Sequence, residues 1–458
     1  MSSSADIIAP LDNAQLQSQG LISPPNDLGQ RRMHKRRLNR SSDEEHDNIP
    51  LNVSFRSPDT QGAFMTIPDQ LISRASLEYV GFSFQKATEL WDRWTHWPTG
   101  PYEPIRETDP DDGTKLEMTF IDFITGPFVG SRNVAHDSDS DWLDCMTYYG
   151  LNLDTQRAIM EPAFKVLRLS MSCGEWCEDT IRMRYAGLVE IQAESLNREQ
   201  SLRHSDAHTS GSGATESQST SGQASTDALA SNHPHASSYG SLSALSASRA
   251  PGSVVLYKGL DKGRITNLLN DDGSLRELSS LQSASPNDFF SRAVAFYFTP
   301  NLDVAEYYAA WAKRRSITEE VVIVSITIPN SAIEQMQEPI GYRLYWPSDD
   351  WKKLIWNCLR GQKHPRELRK YRHATLIIGT TSKRPSLYYH TLDYWEQVSE
   401  RCVLKMVYAT REVIAIQYCF SGHEGGDFLE ENITNIQVVP FRHPDMEGLL
   451  RRHDIVMA

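Results

Sequence analysis

The stretch Ala293-Val-Ala-Phe-Tyr-Phe-Thr-Pro-Asn301 decides how the C-terminal half of this chain is interpreted. Its apolar and aromatic residues predict a short β-strand, and Pro300 with Asn301 predicts the turn that closes it. Apolar residues then recur at helical spacing over 302–313, and Asp303 is suited to a helix N-terminus. The sequence therefore predicts a strand, a turn and an amphipathic helix in direct succession.

Further strands and helices are expected on both sides of this unit. Short apolar or β-branched runs at 254–259, 321–328, 374–379 and 413–420 predict strands. Two more helices are expected at 352–360 and 422–431. Because strands and helices are mixed without regular alternation, the pattern favours an α+β fold over a doubly wound parallel sheet.

The order of these elements resembles the ADP-ribosyltransferase superfamily, in particular its fungal and bacterial branch of unknown function with a His-Tyr-Glu/Asp/Gln signature. The stretches that carry the resemblance are Tyr257-Lys258-Gly259, Asp288-Phe289, Phe296-Tyr297-Phe298-Thr299, Ser348-Asp-Asp-Trp351, the strand ending at Gly379, and Gln417-Tyr-Cys-Phe420. They cover residues 254–440, about two-fifths of the chain. The resemblance implies a split β-sheet domain.

The resemblance also implies that this domain binds NAD as a substrate and transfers ADP-ribose to an unknown protein or small-molecule acceptor. It assigns Gln417 as the catalytic residue beside the ribose. The NAD-binding residues that it implies are Lys258, Gly259, Tyr297, Thr299 and Tyr308. Tyr297 would stack on the nicotinamide ring with Tyr308 as a second aromatic wall, and Thr299 would donate its hydroxyl group to the ribose.

Two of these positions depart from the family pattern. Lys258 replaces His or Arg, and an ammonium group cannot reproduce the planar geometry of imidazole or guanidinium. Gln417 replaces the usual Glu, and a neutral amide stabilises positive charge on the ribose less well than a carboxylate. The sequence therefore leaves open an active transferase, an NAD-binding relative without transfer, and a catalytically inactive interaction or scaffold protein.

Each candidate residue also has an ordinary structural explanation. Tyr297 alternates with apolar residues and suits a core position, and Tyr308 shares a helix face with Leu302. Lys258 at a strand end suits a solvent-facing position, and Gln417 suits an edge strand. The transferase interpretation of these residues requires that Lys258, Tyr297 and Gln417 face one cavity.

The remainder of the chain divides by composition. Residues 1–60 are expected to form a disordered tail, and residues 61–200 a mainly helical module of unknown function for which a partner protein is one expectation. Residues 201–250 contain 15 serines and no Ile, Val, Phe, Met or Trp, which predicts a flexible linker. The ADP-ribosyltransferase-like domain is placed at 251–442 and a C-terminal tail at 443–458.

Charge and composition exclude some classes of function. The chain has 46 Lys+Arg against 59 Asp+Glu, a net charge of −13, which argues against a nucleic-acid partner. A basic run at 31–40 (Arg31, Arg32, Lys35, Arg36, Arg37, Arg40) is either a nuclear import signal or a solvated patch.

Location and metal content are also expected from the sequence. Sparse cysteines, no long apolar run and no secretory signal favour a cytoplasmic protein away from membranes, or a nuclear one if the basic run is an import signal. The cysteine and acidic spacings predict no metal site.

Overall fold

The computed structural model describes residues 6–56, 62–96, 118–128, 132–209, 251–270, 272–408, 411–454 and 457. These residues form a mixed α+β fold, which confirms the fold class predicted from the sequence. Most helices lie between residues 6 and 209, here called the N-terminal module, and most strands lie between residues 251 and 454, here called the C-terminal domain.

The N-terminal module is mainly helical because capping residues and apolar helix faces recur along it. Its helices are α1 (Pro10–Ser18), α2 (Arg40–Glu45), α3 (Arg74–Val80), α4 (Phe84–Thr95), α5 (Phe120–Thr125), α6 (Asp139–Tyr148), α7 (Leu153–Ile159), α8 (Lys165–Arg168) and α9 (Cys173–Thr209). Strands β1 (Gln30–His34) and β2 (Phe64–Pro68) pair antiparallel. Ser73, Ser83 and Asn152 each accept a hydrogen bond from a backbone N–H of the helix that follows, which satisfies a donor without a partner inside the helix.

The prediction of a disordered tail over 1–60 is wrong for residues 6–56. This segment forms α1, β1 and α2, and Ile7 is fully buried. The buried Asp12 carboxylate accepts hydrogen bonds from Ser195 and Arg198 of α9. A few well-placed apolar residues and these polar contacts order the segment, although its average composition resembles that of a disordered chain. Residues 1–5 and 57–60 lie outside the described residues.

The basic run at 31–40 belongs to this ordered segment. It forms β1, a short 3₁₀ turn and the start of α2. Arg31 forms an ion pair with Asp69, and Arg36 forms one with Asp43 at 2.7 Å. Several of its charges are therefore used within the fold, and the import-signal interpretation stays a prediction.

The prediction of a flexible linker over 201–250 is wrong for residues 201–209. Residues 201–209 are the last turns of α9, and residues 210–250 lie outside the described residues.

The C-terminal domain contains two sheets with helices outside them. Its strands are β3 (Ser253–Asp261), β4 (Gln282–Ser283), β5 (Ala295–Phe298), β6 (Val321–Pro329), β7 (Gly341–Leu344), β8 (Leu376–Thr380), β9 (Lys405–Tyr408), β10 (Arg411–Ile414), β11 (Ile416–Ser421) and β12 (Asn435–Pro440). Its helices are α10 (Leu302–Arg315), α11 (Asn330–Gln335), α12 (Asp349–Leu359), α13 (Ser386–His390), α14 (Gly422–Asn432) and α15 (His443–Arg452). The strand orders are β12-β6-β3 and β4-β5-β11-β8-β7, with β9 and β10 as a separate hairpin.

Strand alternation sorts the apolar residues into separate core layers. Leu256 of β3 and Phe296 of β5 pack in the layer between the two sheets. The outer face of the five-stranded sheet packs on α12 through residues such as Trp351. The outer face of the three-stranded sheet packs on α10 and on the N-terminal module.

The C-terminal tail predicted at 443–458 is wrong for residues 443–452. These residues form α15, which packs on α10. Met446, Leu449 and Leu450 are buried because they form one apolar helix face.

A buried interface joins the N-terminal module to the C-terminal domain. Ile181 of α9 and Trp311 of α10 belong to the same apolar core. Three ion pairs that cross the interface are Arg315–Asp179 at 2.5 Å, Lys313–Glu45 at 2.8 Å and Arg314–Glu161 at 2.9 Å. The two parts therefore contact each other through packed surfaces of their own.

Candidate functional site

The candidate residues lie where strands of the two sheets meet. Strands β3 and β5 are joined by a backbone bridge, in which Tyr257 and Thr299 exchange hydrogen bonds of 2.7 and 2.9 Å. Strand β11 pairs antiparallel with β5 and places Cys419 opposite Tyr297. Gln417 precedes Cys419 by two residues, so its side chain projects from the same face of the sheet as Tyr297.

A carboxylate, Asp288, stands at the centre of this face. It lies in the loop between β4 and β5, and its Oδ2 atom accepts a hydrogen bond of 2.6 Å from the Gln417 amide. Ser382, just after β8, donates its backbone N–H to Oδ2 at 2.8 Å and its hydroxyl to Oδ1 at 2.7 Å. Gln417 itself is only 6% exposed, so it acts on Asp288 more directly than on any molecule in solvent.

The environment of Asp288 is unfavourable to its negative charge. Burial raises the pKa of this carboxyl above its ordinary value, and the hydrogen bonds from Ser382 and Gln417 oppose that rise. Among the residues that the structure describes, no Lys, Arg or His forms an ion pair with Asp288. The charge is therefore stabilised by neutral donors alone.

Two of the predicted aromatic residues border Asp288. The Tyr297 hydroxyl donates to Asn287 Oδ1 at 2.6 Å and accepts the Phe289 N–H at 3.4 Å. The nearby charge of Asp288 contributes, after burial, to raising the pKa of both Tyr297 and Tyr308. Asp288, Tyr297 and Tyr308 are each only partly buried, so the cluster reaches the molecular surface.

Lys258 forms no hydrogen bond or ion pair with Asp288, Tyr297 or Gln417, all of which the structure describes. Its neighbours in alternation, Leu256 and Leu260, face the layer between the sheets, which places Lys258 on that side. The amine donates to the Leu281 carbonyl oxygen at 2.7 Å, and burial lowers its pKa to about 8. The expected convergence of three side chains on one cavity is therefore only partial, and Lys258 is neither solvent-facing nor beside Asp288.

Gly259 and Thr299 also have structural contacts of their own. A Cβ atom on Gly259 would overlap the Ala305 carbonyl oxygen, so this glycine allows α10 to cross β3 closely. The Thr299 hydroxyl is buried and accepts the Asn301 N–H at 3.2 Å. These contacts give both residues a packing or turn role, and their predicted contacts with NAD stay predictions.

The sequence pointed to Asp288 only as part of a motif and not as a site residue. Ser382 and Asn287 were missed altogether. The signal available for Asp288 was its place directly before Phe289 in the quoted motif, which does not reveal that a distant amide, Gln417, would bind it.

The geometry limits which groups the described residues can hold. No three His, Cys, Asp or Glu side chains in the described ranges are arranged to bind a metal ion. Two shallow cavities lie elsewhere: one of about 410 Å³ beside β2 and α3, and one of about 360 Å³ on α15. Neither cavity includes Asp288, Tyr297 or Tyr308 in its lining.

Comparison with known proteins identifies no relative. No family model, curated protein or solved structure matches this chain. No helix within the described ranges is both long enough and apolar enough to cross a bilayer. A function must therefore be argued from the site itself.

Proposed function

We propose that the C-terminal domain is an ADP-ribosyltransferase-like domain that binds NAD at the face formed by Asp288, Tyr297 and Tyr308, and transfers its ADP-ribose to an acceptor. The observation that carries the proposal is the partly buried Asp288 carboxylate, held only by neutral donors beside two tyrosines. Carboxylates kept in such unfavourable surroundings are typical of functional sites.

The reaction assigns a task to each residue. The bond between ribose C1′ and the nicotinamide nitrogen breaks, nicotinamide leaves with the electron pair, and positive charge develops on the ribose. Asp288 stabilises that charge, which is the task of Glu in the related family. The acceptor lone pair then forms the new bond to C1′, and its proton passes to solvent.

The remaining residues bind and orient. Tyr297 and Tyr308 offer aromatic surfaces to the flat nicotinamide ring. Gln417 fixes the orientation of the Asp288 carboxylate through its hydrogen bond and takes the role of a positioning residue. The sequence has Gln417 where the family pattern has Glu. In this proposal the Asp288 carboxylate, from the loop before β5, replaces the missing carboxylate.

A specific observation favours a second candidate, a catalytically inactive interaction or scaffold protein. Lys258 and Thr299 bind other parts of the protein, and Gly259 packs against a helix. In that case the split sheets serve only to support the interface with the N-terminal module.

The test uses the full chain with NAD. Nicotinamide release and the NAD-dependent rise in melting temperature are measured for the wild type, Asp288→Asn, Tyr297→Ala and a control, Asp427→Asn, whose carboxylate is 60% exposed on α14. A ligand that binds only the folded state must raise the melting temperature. We expect release by the wild type and the control, and at least a hundredfold loss in Asp288→Asn, about 3 kcal/mol of transition-state stabilisation.

Three results contradict parts of the proposal. Equal release by Asp288→Asn and the wild type removes Asp288 from the chemistry. Equal melting shifts for Tyr297→Ala and the wild type remove the stacking role. Neither release nor a melting shift in the wild type favours the inactive interaction protein.

A further inference from the structure

One buried hydroxyl group beside the candidate site has no task in the proposed reaction. It belongs to Tyr389 on α13, whose side chain is fully buried. Within the described ranges this hydroxyl forms no hydrogen bond. A buried hydroxyl without a partner has lost its hydrogen bonds to water and gained none in return, so such groups are rare in folded proteins. The position of Tyr389 shows which group it is placed to bind.

The Tyr389 hydroxyl lies close to the groups that hold Asp288. Ser382, which binds both oxygens of Asp288, is joined to Val403 by a backbone bridge, and Val403 packs in the same core as Tyr389. Burial, followed by the charges of Cys402 and Asp288, raises the pKa of Tyr389, and the nearby Ser382 hydroxyl opposes that rise. Ser382 is therefore within reach of both Asp288 and Tyr389.

Ser382 has the capacity for one more hydrogen bond. A serine hydroxyl donates once and accepts twice. The single hydrogen of Ser382 is directed at Asp288 Oδ1 over 2.7 Å. Across the described part of the chain no donor binds the Ser382 hydroxyl oxygen, and the residue is only 7% exposed, so water has little access to it. An acceptor without a donor thus lies beside a donor without an acceptor.

The other polar neighbour of the Tyr389 hydroxyl is Cys402. A thiol sulfur accepts hydrogen bonds only weakly. The Ser382 oxygen is the stronger acceptor, because its own hydrogen is bound to a carboxylate and successive hydrogen bonds in a chain polarise one another. The preferred partner of the Tyr389 hydroxyl is therefore Ser382.

We propose that Tyr389 is a positioning residue of the Asp288 site, and that its hydroxyl donates to Ser382 Oγ while Asp288 is charged. The three side chains then form one chain, in which Tyr389 donates to Ser382 and Ser382 donates to Asp288. This chain keeps the Ser382 hydroxyl directed at the carboxylate and stabilises the charge that the reaction uses. The inference rests on the proposed function for the task of Asp288, whereas the ionisation of Asp288 is measurable without turnover.

Asp288 is the group of this cluster that titrates in acid. The other titratable side chains that face it are neutral near pH 7, because burial raises the pKa of each one. They come from five different elements, and they are Tyr297, Tyr308, Cys358, Tyr389 and Cys419. The acid limb of a pH profile that depends on this cluster therefore reports the pKa of Asp288 itself.

The test compares Tyr389→Phe with Tyr388→Phe, which removes the hydroxyl of the neighbouring, partly exposed tyrosine on the same helix. The full chain is used from about pH 4 to pH 8. The first readout is nicotinamide release from NAD. The second is the difference in unfolding free energy between Asp288→Asn and its parent, made in the wild type and in each tyrosine variant. This difference grows as Asp288 ionises, and it needs no turnover.

The effect of Tyr389→Phe is expected in acid alone. The acid limb of release and the pH at which Asp288→Asn gains stability over its parent both move upward by about half a pH unit, a roughly threefold change in the ionisation equilibrium. At pH 8 release equals that of the wild type, and Tyr388→Phe leaves both readouts unchanged. In a Ser382→Ala background, Tyr389→Phe has no further effect on the second readout, because the chain is already broken.

Other outcomes overturn the inference. Unshifted readouts in Tyr389→Phe, or an equal shift in Tyr388→Phe, show that the Tyr389 hydroxyl does not act on Asp288. A shift that persists in the Ser382→Ala background excludes the route through Ser382. A change of stability that is the same at every pH shows a packing role only. If the wild type releases no nicotinamide while the second readout still shifts, the proposed function fails and the positioning role of Tyr389 stands.

Discussion

The interface between the N-terminal module and the C-terminal domain holds a carboxylate that is almost fully buried, and the face around Asp288 holds one that is partly buried. The two places stabilise the charge differently. At the interface, Asp179 is 10% exposed and binds two guanidinium groups, those of Arg315 and Arg264. At the candidate site, Asp288 binds only a hydroxyl, a backbone N–H and an amide. The first arrangement holds two parts of the protein together, whereas the second leaves a charge without a counter-ion among the described residues.

The contrast shows which buried charges to examine for chemistry. A buried ion pair stabilises a fold only while both partners are present, and removing one partner leaves an uncompensated charge. A carboxylate without a counter-ion is already uncompensated, so its loss removes little stability and a functional role can explain its presence. The free energy of unfolding of matched variants distinguishes the two surroundings.

The largest effect is expected for Arg315→Gln at the interface. Arg315 is 3% exposed, binds Asp179 at 2.5 Å and lies over the rings of Trp176 and Trp311. Its removal is expected to lower the free energy of unfolding by about 3–5 kcal/mol, measured by urea denaturation at neutral pH. The control Arg157→Gln, at an exposed ion pair, is expected to change it by less than about 0.5 kcal/mol. A loss below about 1 kcal/mol for Arg315→Gln would show that Arg264 alone compensates Asp179.

A smaller effect of opposite sign is expected for Glu190→Gln at the rim of the interface. Burial raises the pKa of Glu190 from 4.5 to about 7, because its nearest cation, Lys262, is 3.8 Å away and already paired with Glu320. Since the folded pKa is raised, the stability contribution is complete below pH 4.5 and is lost as pH rises to about 7. The variant cannot ionise and avoids that loss.

The measurement is the difference in unfolding free energy between Glu190→Gln and the wild type as a function of pH. We expect no difference near pH 4.5, rising to about 1–2 kcal/mol in favour of the variant above pH 7, with allowance for the 27% exposure of the side chain. Glu89→Gln, at a side chain 51% exposed, serves as a control and is expected to show no such rise. A difference independent of pH would contradict the raised pKa.

Lys258→Met is expected to change the free energy of unfolding less than Glu190→Gln does, and in a more alkaline pH range. Burial lowers the pKa of Lys258 from 10.5 to about 8, so the stability contribution is complete above pH 10.5 and is lost as pH falls to about 8. Methionine keeps the chain length without the charge but leaves the Leu281 carbonyl oxygen without its bond. We expect a net gain of about 1 kcal/mol at pH 7 that disappears toward pH 10.5, whereas Lys363→Met at an exposed lysine changes stability equally at both.

The elements of the C-terminal domain were predictable because their signals are local. Alternating apolar residues and turn residues identified β5 and β6, and helical spacing identified α10. That residues 6–56 adopt a folded structure was not predictable in the same way. It depends on contacts such as Asp12 with Arg198, which are formed by residues far apart in the chain.

The candidate site shows the same division. Tyr297 and Gln417 were predicted on neighbouring strands and share one face. Asp288 acquires its role only when its loop folds over Ser382 and Gln417, a non-local event. The opposite orientation of Lys258 was available from its alternation with Leu256, which favours the layer between the sheets.

The segment 363–372 illustrates how an average conceals a local pattern. Basic residues recur there with a period of three, at Lys363, Arg366, Arg369 and Arg372. A net charge of −13 hides this run, because the acids that dominate the total lie elsewhere in the chain. A charge count over a short window would have identified it.

Asp288→Asn is expected to change stability least. It tests most directly whether the fold needs the charge of Asp288 as it needs the charge of Asp179. Asparagine keeps the shape: its oxygen in the Oδ2 position still accepts from the Ser382 N–H and the Gln417 amide, and its NH2 group in the Oδ1 position donates to the Ser382 hydroxyl oxygen. Because burial raises the pKa of Asp288, the stability present below its ordinary value of 3.8 is lost as pH rises through the folded pKa, and the variant avoids this loss.

At neutral pH we therefore expect Asp288→Asn to equal the wild type or exceed it by up to about 1 kcal/mol, measured by urea denaturation. Asp179→Asn makes the same chemical change beside two guanidinium groups, and we expect it to lower stability by more than 2 kcal/mol, on the order found for broken buried pairs. If both variants lose stability equally, Asp288 is a structural residue like Asp179 and the main support for a transferase site is removed. Opposite signs would mean that the fold does not need the Asp288 charge, which is what a residue retained for its chemistry predicts.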